Sequence, residues 1–205
     1  MNTSILIAII CSLFSSTPKL TAPIAGDYVE ARTASVFAGA CHYNGELVTT
    51  GNDAIMAWQF NSGVRVMAVV SSEANLGDGS ASRKSEIVVD DSAASMQGDA
   101  AVKAILSREA SSLGKVVAIR SAKITFRHEQ GQYQVESAGF ASLVIEALPD
   151  GECCKQPNSV WYSPLAHLSS REVGYTDNAA YLAGKITDSW QRGDENSAFY
   201  GAFSY

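Results

Sequence analysis

Cysteine is the residue type whose placement in this sequence most directly suggests chemistry. Cys41, Cys153 and Cys154 each lie in a Gly-flanked segment of loop-like composition, and His42 directly follows the first of them. Free cysteine is usually buried as a small apolar side chain, so thiols in loops indicate another role. Three thiolates suit trigonal Cu(I), and three thiolates with one imidazole suit tetrahedral Zn(II). These residue types therefore predict a copper or zinc site formed by Cys41, Cys153, Cys154 and His42.

The same thiols are open to other interpretations. A disulfide from Cys41 to Cys153 or Cys154 would close a long loop and contribute about 4 to 5 kcal/mol if unstrained. The chain would then be a non-catalytic domain that binds a ligand or a partner and is held by this Cys41 staple. A bridge between the two adjacent cysteines is conceivable but strained. Thiol redox chemistry is a further alternative, although the spacing is not C-x-x-C.

The N-terminus predicts export. Residues 5–14 form an apolar run that is shorter than the roughly 20 residues a membrane-spanning helix needs, and this length is typical of the apolar core of a secretory signal. We expect residues 1–25 to be a signal peptide, cleaved somewhere within residues 17–26, which removes Cys11. Residues 26–205 are then expected to be one periplasmic or extracellular domain without a transmembrane helix. In such an oxidising compartment, three thiols require a free thiol, an intermolecular bridge or a metal ligand.

Charge and motifs argue against several function classes. The net charge is −6, the pI is about 5.0 and the 15 basic residues are scattered, whereas nucleic-acid binding needs clustered Lys and Arg. The sequence has no G-x-S-x-G elbow, no phosphate-binding loop and no H-E-x-x-H motif. We therefore expect no nucleic-acid partner, and an enzymatic role is the less favoured interpretation.

The hydrophobic pattern predicts how these segments are positioned. Short alternating runs joined by turn residues indicate antiparallel strands, and one longer run with helical spacing begins after Asp91 and ends at Gly114. We therefore expect an α+β domain in which mostly antiparallel strands carry one main helix on a face. The predicted strands are residues 26–33, 54–60, 64–70, 86–90, 123–127, 132–136 and 140–148.

Two further positions could serve a site. Glu30 and Arg32 are two residues apart on a predicted strand and so share one face, where such a pair is more often a solvent-facing ion pair worth under about 1 kcal/mol. His167 is close in sequence to the adjacent cysteines and is a possible further metal ligand.

The order of several segments resembles a bacterial family catalogued as domain of unknown function 1326. The resemblance lies in Gly26-Asp-Tyr-Val-Glu30, the loop ending at Cys41, Ala54-Ile-Met-Ala-Trp58, Val66-Met-Ala-Val-Val70 and Val88-Val-Asp90. It implies a bacterial single-domain protein and no particular activity, because the family is uncharacterised. It also implies a cysteine cluster after the opening Glu. This chain departs from that cluster and retains Cys41 alone, so Cys153 and Cys154 would have to replace the missing ligands.

Overall fold

The computed structural model describes residues 24–38, 50–93, 95–148 and 159–205. Of these residues, 53% lie in strands and 11% in helices, and one helix alone is seven residues or longer. The α+β class predicted from the sequence is therefore wrong, because the described part of the chain is mostly β. The sequence prediction treated the single helix as a layer that covers one face of the sheet. In the structure, the inner face of the curled sheet is covered by other strands of the same sheet.

The described strands and helices follow one another in this order: β1 (Ala25–Arg32), β2 (Phe37–Ala38), β3 (Asp53–Phe60), β4 (Arg65–Ser72), β5 (Arg83–Asp90), α1 (Ser95–Arg108), α2 (Ala110–Leu113), β6 (Lys115–Ala122), β7 (Thr125–Glu129), β8 (Gln132–Ser137), β9 (Ala141–Ala147), β10 (Ser159–Val160), β11 (Glu172–Tyr181), β12 (Trp190–Arg192) and β13 (Glu195–Ser204).

Ten of these strands form one curled sheet, a half-barrel, in the order β6-β5-β4-β3-β1-β13-β11-β9-β8-β7, and β12 pairs with β11 beside this path. The pairs are antiparallel except for β5 with β6, which is parallel. Parallel neighbours need a crossover, and helices α1 and α2 supply it here. The sheet is consequently mixed, and β6 is a strand that the sequence analysis did not predict.

The central strand β1 has side chains in the two larger of the three hydrophobic clusters among the described residues. Val29 packs on the inner side of the curl, in a cluster that also holds Val69 of β4 and Leu143 of β9. Tyr28 faces the other side, in a cluster with Met56 and with Ile105 of α1. Alternation along one strand thus separates a core between the two halves of the sheet from a core beneath the helix.

Local turn chemistry was predicted well. The β3–β4 turn has Gly63 at a φ of 87°, as expected for the Asn-Ser-Gly connection, and the β7–β8 turn has Gln130 and Gly131 at positive φ. The helix begins and ends near the predicted residues but is interrupted at Glu109, so that α2 is a separate short turn. No helix among the described residues is long and apolar enough to cross a membrane.

Candidate functional site

The predicted metal ligands lie outside the described residues, but the strands nearest to them are described. Cys41 and His42 follow β2, and Cys153 with Cys154 precedes β10. Strands β2 and β10 pair with each other, antiparallel, with Ala38 opposite Ser159. The segment with Cys41 and His42 therefore begins after Ala38, and the segment with Cys153 and Cys154 ends before Ser159, which is the pairing partner of Ala38.

The chain continues from β10 into a segment that lies over the outer face of β1, and we call residues 161–168 the covering segment. It begins where the Trp161 amide donates to the carbonyl of Val36 at 2.9 Å. The Ser112 hydroxyl donates to the Leu165 carbonyl at 2.5 Å, which ties the segment to α2. Leu165 itself is buried in the core beneath the helix.

Glu30 and Arg32 form a buried charge cluster beneath this segment. Their side chains are 0% and 3% exposed, and Arg32 Nε donates to Glu30 Oε1 at 2.9 Å. Glu30 Oε2 accepts two more hydrogen bonds, from the Tyr28 hydroxyl at 2.5 Å and from the Leu165 amide at 2.8 Å. The shared face was predicted correctly, but the expected solvent-facing pair is wrong. It is buried because the covering segment, over 130 residues later in the chain, closes over it.

Arg32 is fixed on its other side as well. Its Nη2 donates to the Ser163 carbonyl, and its guanidinium carbon lies 5.4 Å from the centre of the Tyr162 ring and 5.7 Å from that of Phe199. Burial, followed by the charge and hydrogen bond of Glu30, raises the pKa of the Tyr28 hydroxyl well above its usual value. Tyr28 therefore stays neutral and keeps donating to the carboxylate.

A second arginine lies beside this cluster. Arg83 and Arg32 both line an open cleft of about 310 Å³, together with residues that include Trp161 and Tyr162. Arg83 Nη2 donates to the Leu76 carbonyl at 2.7 Å. Partial burial and then the nearby charge of Arg32 lower the pKa of the Arg83 guanidinium. The contribution of Arg32 to this shift places the two cations within range of each other's charge, and Asp78 partly offsets it.

A buried carboxylate also orients His167. Glu109 is 0% exposed and accepts hydrogen bonds from His167 Nδ1 at 2.8 Å and from the His167 amide at 2.9 Å. Its Oε1 accepts a third from the Tyr205 hydroxyl at 2.8 Å, which in turn accepts from Trp58 Nε1 at 3.0 Å. The imidazole, 74% exposed, is therefore held with Nε2 free of this network. Such an arrangement can orient a histidine for metal binding or proton transfer.

His167 and Glu109 are not joined by a third ligand among the described residues. Within the ranges that the structure describes, no three His, Cys, Asp or Glu side chains are grouped so that they could hold a metal ion. His128, the third histidine, stacks on Tyr133 at a ring distance of 3.8 Å and is exposed on β7. A metal site of the predicted composition would therefore depend on the cysteine-bearing segments.

Sequence reasoning missed Arg83, Glu109 and Tyr205. Arg83 belongs to the only adjacent Arg–Lys pair in the sequence, and that pair reads as part of a solvated loop. Glu109 lies within a run that reads as one continuous helix, and its hydrogen bonds to residues 167 and 205 join positions too distant in sequence for a local pattern to indicate.

No protein-family model matches this chain, and no curated protein or solved structure matches it either. The resemblance to the family of unknown function consequently stays a prediction from the sequence. Functional inference for this chain depends on its own residues.

Proposed function

We propose that this chain is an exported protein that binds one soft metal ion, Cu(I) or Zn(II), through Cys41, Cys153 and Cys154, with His42 as a fourth ligand to zinc. The observation that supports the proposal is the pairing of Ala38 with Ser159. Export is supported by the apolar run at residues 5–14, whose length is typical of a secretory signal.

Chain length makes the proposed site reachable. Cys41 is three residues beyond Ala38 and Cys154 is five residues before Ser159. Extended chain spans about 3.3 to 3.6 Å per residue, so the two segments can extend by roughly 10 Å and 17 Å. Directly opposed residues of an antiparallel pair lie about 5 Å apart. The two segments thus start side by side, and sulfurs on them can approach to the roughly 4 Å that ligands of one ion require.

The residue types decide which ion suits such a site. Thiolates are soft ligands that select Cu(I) and Zn(II) over Mg²⁺ or Ca²⁺, which prefer oxygen. Two ligands from an adjacent pair and one from a distant segment would close a loop in the folded chain. Metal binding would therefore also stabilise the pairing of β2 with β10.

A disulfide between Cys41 and either residue of the adjacent pair needs the same proximity, so it is the rival that the experiment must exclude. Free thiols are counted on unfolded, unreduced mature protein from which metal has been removed. The metal site predicts three free thiols, and the staple predicts one. Metal analysis of gently purified protein is then expected to find about one copper or zinc ion per chain.

Substitutions assign the ligands. Cys153→Ser with Cys154→Ser is expected to abolish the metal while leaving the far-ultraviolet circular dichroism unchanged. His42→Gln is expected to weaken zinc binding by about tenfold or more, whereas the matched control His128→Gln leaves it unchanged because His128 lies on β7, far along the sheet from β1. One free thiol, no metal and a large loss of stability in the cysteine variant would replace the proposal with the staple.

A further inference from the structure

A cleft opens beside the buried Glu30–Arg32 pair, and the described residues that line it include no cysteine. We infer that the cleft lined by Arg32, Arg83, Trp161 and Tyr162 binds a small organic oxyanion, with its negatively charged group at the two guanidinium groups and its apolar part against Trp161. This inference is independent of the proposed metal site.

The charged residues that line the cleft favour an anionic ligand. Within the ranges that the structure describes, the cleft is lined by Arg32 and Arg83 and by no Asp or Glu, although the chain as a whole carries a net charge of −6. Glu30 neutralises Arg32 from beneath. Arg83 donates to the backbone carbonyls of Leu76 at 2.7 Å and of Asp78 at 3.4 Å, and the Asp78 carboxylate is close enough to act on its charge. That carboxylate is exposed, accepts hydrogen bonds from Ser80 and is not among the residues that line the cleft, so water screens its charge there. The described lining of the cleft is therefore cationic, which favours an anion.

The two arginine side chains of the cleft are held in place by hydrogen bonds. Arg32 is fixed by Glu30 and by the Ser163 carbonyl, with two aromatic rings, Tyr162 and Phe199, near its guanidinium group. Arg83 is fixed by its hydrogen bonds to the loop before β5. Guanidinium groups that are already ordered lose little conformational entropy when they bind a carboxylate or a phosphate. Two such groups lining one cleft offer charged donors to an oxyanion.

The shape of the cleft indicates the rest of the ligand. Its volume of about 310 Å³ is at the small end of the range for ligand pockets. Trp161 is 55% exposed although it directly follows a paired strand. An indole at the edge of a cationic cleft offers a flat apolar surface, so a compact molecule with one anionic and one aromatic or aliphatic end is the class that fits.

Two aromatic acids and their neutral analogue form the most direct test. Metal-free mature protein is titrated with benzoate, phenyl phosphate and benzamide, and binding is followed by Trp fluorescence and by calorimetry. Trp58 is fully buried but Trp190 is partly exposed on β12, so the response is assigned to Trp161 by its loss in Trp161→Phe and its retention in Trp190→Phe. We expect one or both anions to bind and benzamide, which has nearly the shape of benzoate without its charge, to bind at least tenfold more weakly. The stronger of the two anions identifies the ligand group as a carboxylate or a phosphate.

Charge variants complete the test. Arg83→Gln is expected to weaken anion binding by about ten- to a hundredfold, the loss typical for a charged hydrogen-bond donor. Arg127→Gln, which removes an exposed cation on β7, is the matched control and should leave binding unchanged. Sodium chloride should weaken binding to the wild type, and this readout needs no variant to fold. No binding of either anion, equal binding of benzamide, or equal loss in Arg127→Gln would overturn the inference.

Discussion

Replacing Glu30 by Gln is the sharpest test of how the covering segment is held. The substitution keeps the size and shape of the side chain and removes its charge. Three donors converge on the carboxylate: the Tyr28 hydroxyl and the Leu165 amide on Oε2, and Arg32 Nε on Oε1. An amide has one acceptor oxygen and one NH₂ group, so at least one of these donors would face another donor.

The magnitude follows from the burial of the pair. Arg32 is 3% exposed, and removing its counter-charge leaves a buried cation without compensation, which typically costs about 3 to 5 kcal/mol. For a chain of 205 residues, each kcal/mol shifts the melting temperature by about 2 to 4 °C. We therefore expect Glu30→Gln to lower the melting temperature by roughly 6 to 20 °C.

Urea unfolding followed by circular dichroism measures the free energy of unfolding for wild type, Glu30→Gln and Glu129→Gln. Glu129 is exposed at the end of β7, so its substitution should change stability by less than about 0.5 kcal/mol. Adding Arg32→Met to Glu30→Gln removes the uncompensated buried cation. The double variant should therefore lose about 1 to 3 kcal/mol less stability than the sum of the losses in the two single variants. A loss under about 1 kcal/mol for Glu30→Gln, or strictly additive effects, would refute the reasoning.

The remaining predictions concern backbone, hydrogen bonding and pH. Gly139 and Gly114 both have positive φ, but a Cβ at Gly114 would lie 2.4 Å from the Arg83 carbonyl oxygen, whereas one at Gly139 would meet nothing within 4 Å. Urea unfolding should therefore show a loss of about 1 kcal/mol for Gly139→Ala and a clearly larger loss for Gly114→Ala. Tyr205→Phe leaves buried Glu109 with one donor fewer and should cost about 1 to 3 kcal/mol by thermal melting, and an unchanged melting temperature would contradict the network. Burial, then the charges of Asp27 and Tyr200, raises the pKa of Tyr133 from 10.0 to about 12. The contribution of the neutral Tyr133 hydroxyl to stability is therefore present below pH 10.0 and lost as pH rises through about 12. Over this range the free energy of unfolding, measured with urea at each pH, should fall less steeply for Tyr133→Phe than for wild type.

Local patterns in the sequence were informative wherever neighbours in sequence decide the structure. The alternation of β1 and the turns of the β3–β4 and β7–β8 hairpins follow from side-chain period and turn residues, and each was predicted with nearly correct bounds. These features need no knowledge of distant residues.

Features that depend on distant contacts were not predicted. The parallel pairing of β6 with β5 needs a crossover, and β6 is an edge strand whose residues are only half buried or exposed, so its apolar pattern is weak. The burial of Glu30 and Arg32 depends on the covering segment, whose Leu165 amide is 135 residues from Glu30. A same-face acid–base pair looks identical in sequence whether water or such a segment covers it.

The central claim is that one soft ion is held by sulfur from two segments that flank the paired strands β2 and β10. X-ray absorption at the metal edge, on protein loaded with one equivalent of zinc or Cu(I), measures the ligands directly. The account predicts about three sulfur ligands near 2.3 Å, together with one nitrogen ligand for zinc, and the loss of all of them in the variant with Cys41, Cys153 and Cys154 replaced by Ser. A shell of oxygen and nitrogen without sulfur, or no binding of either metal, would contradict it.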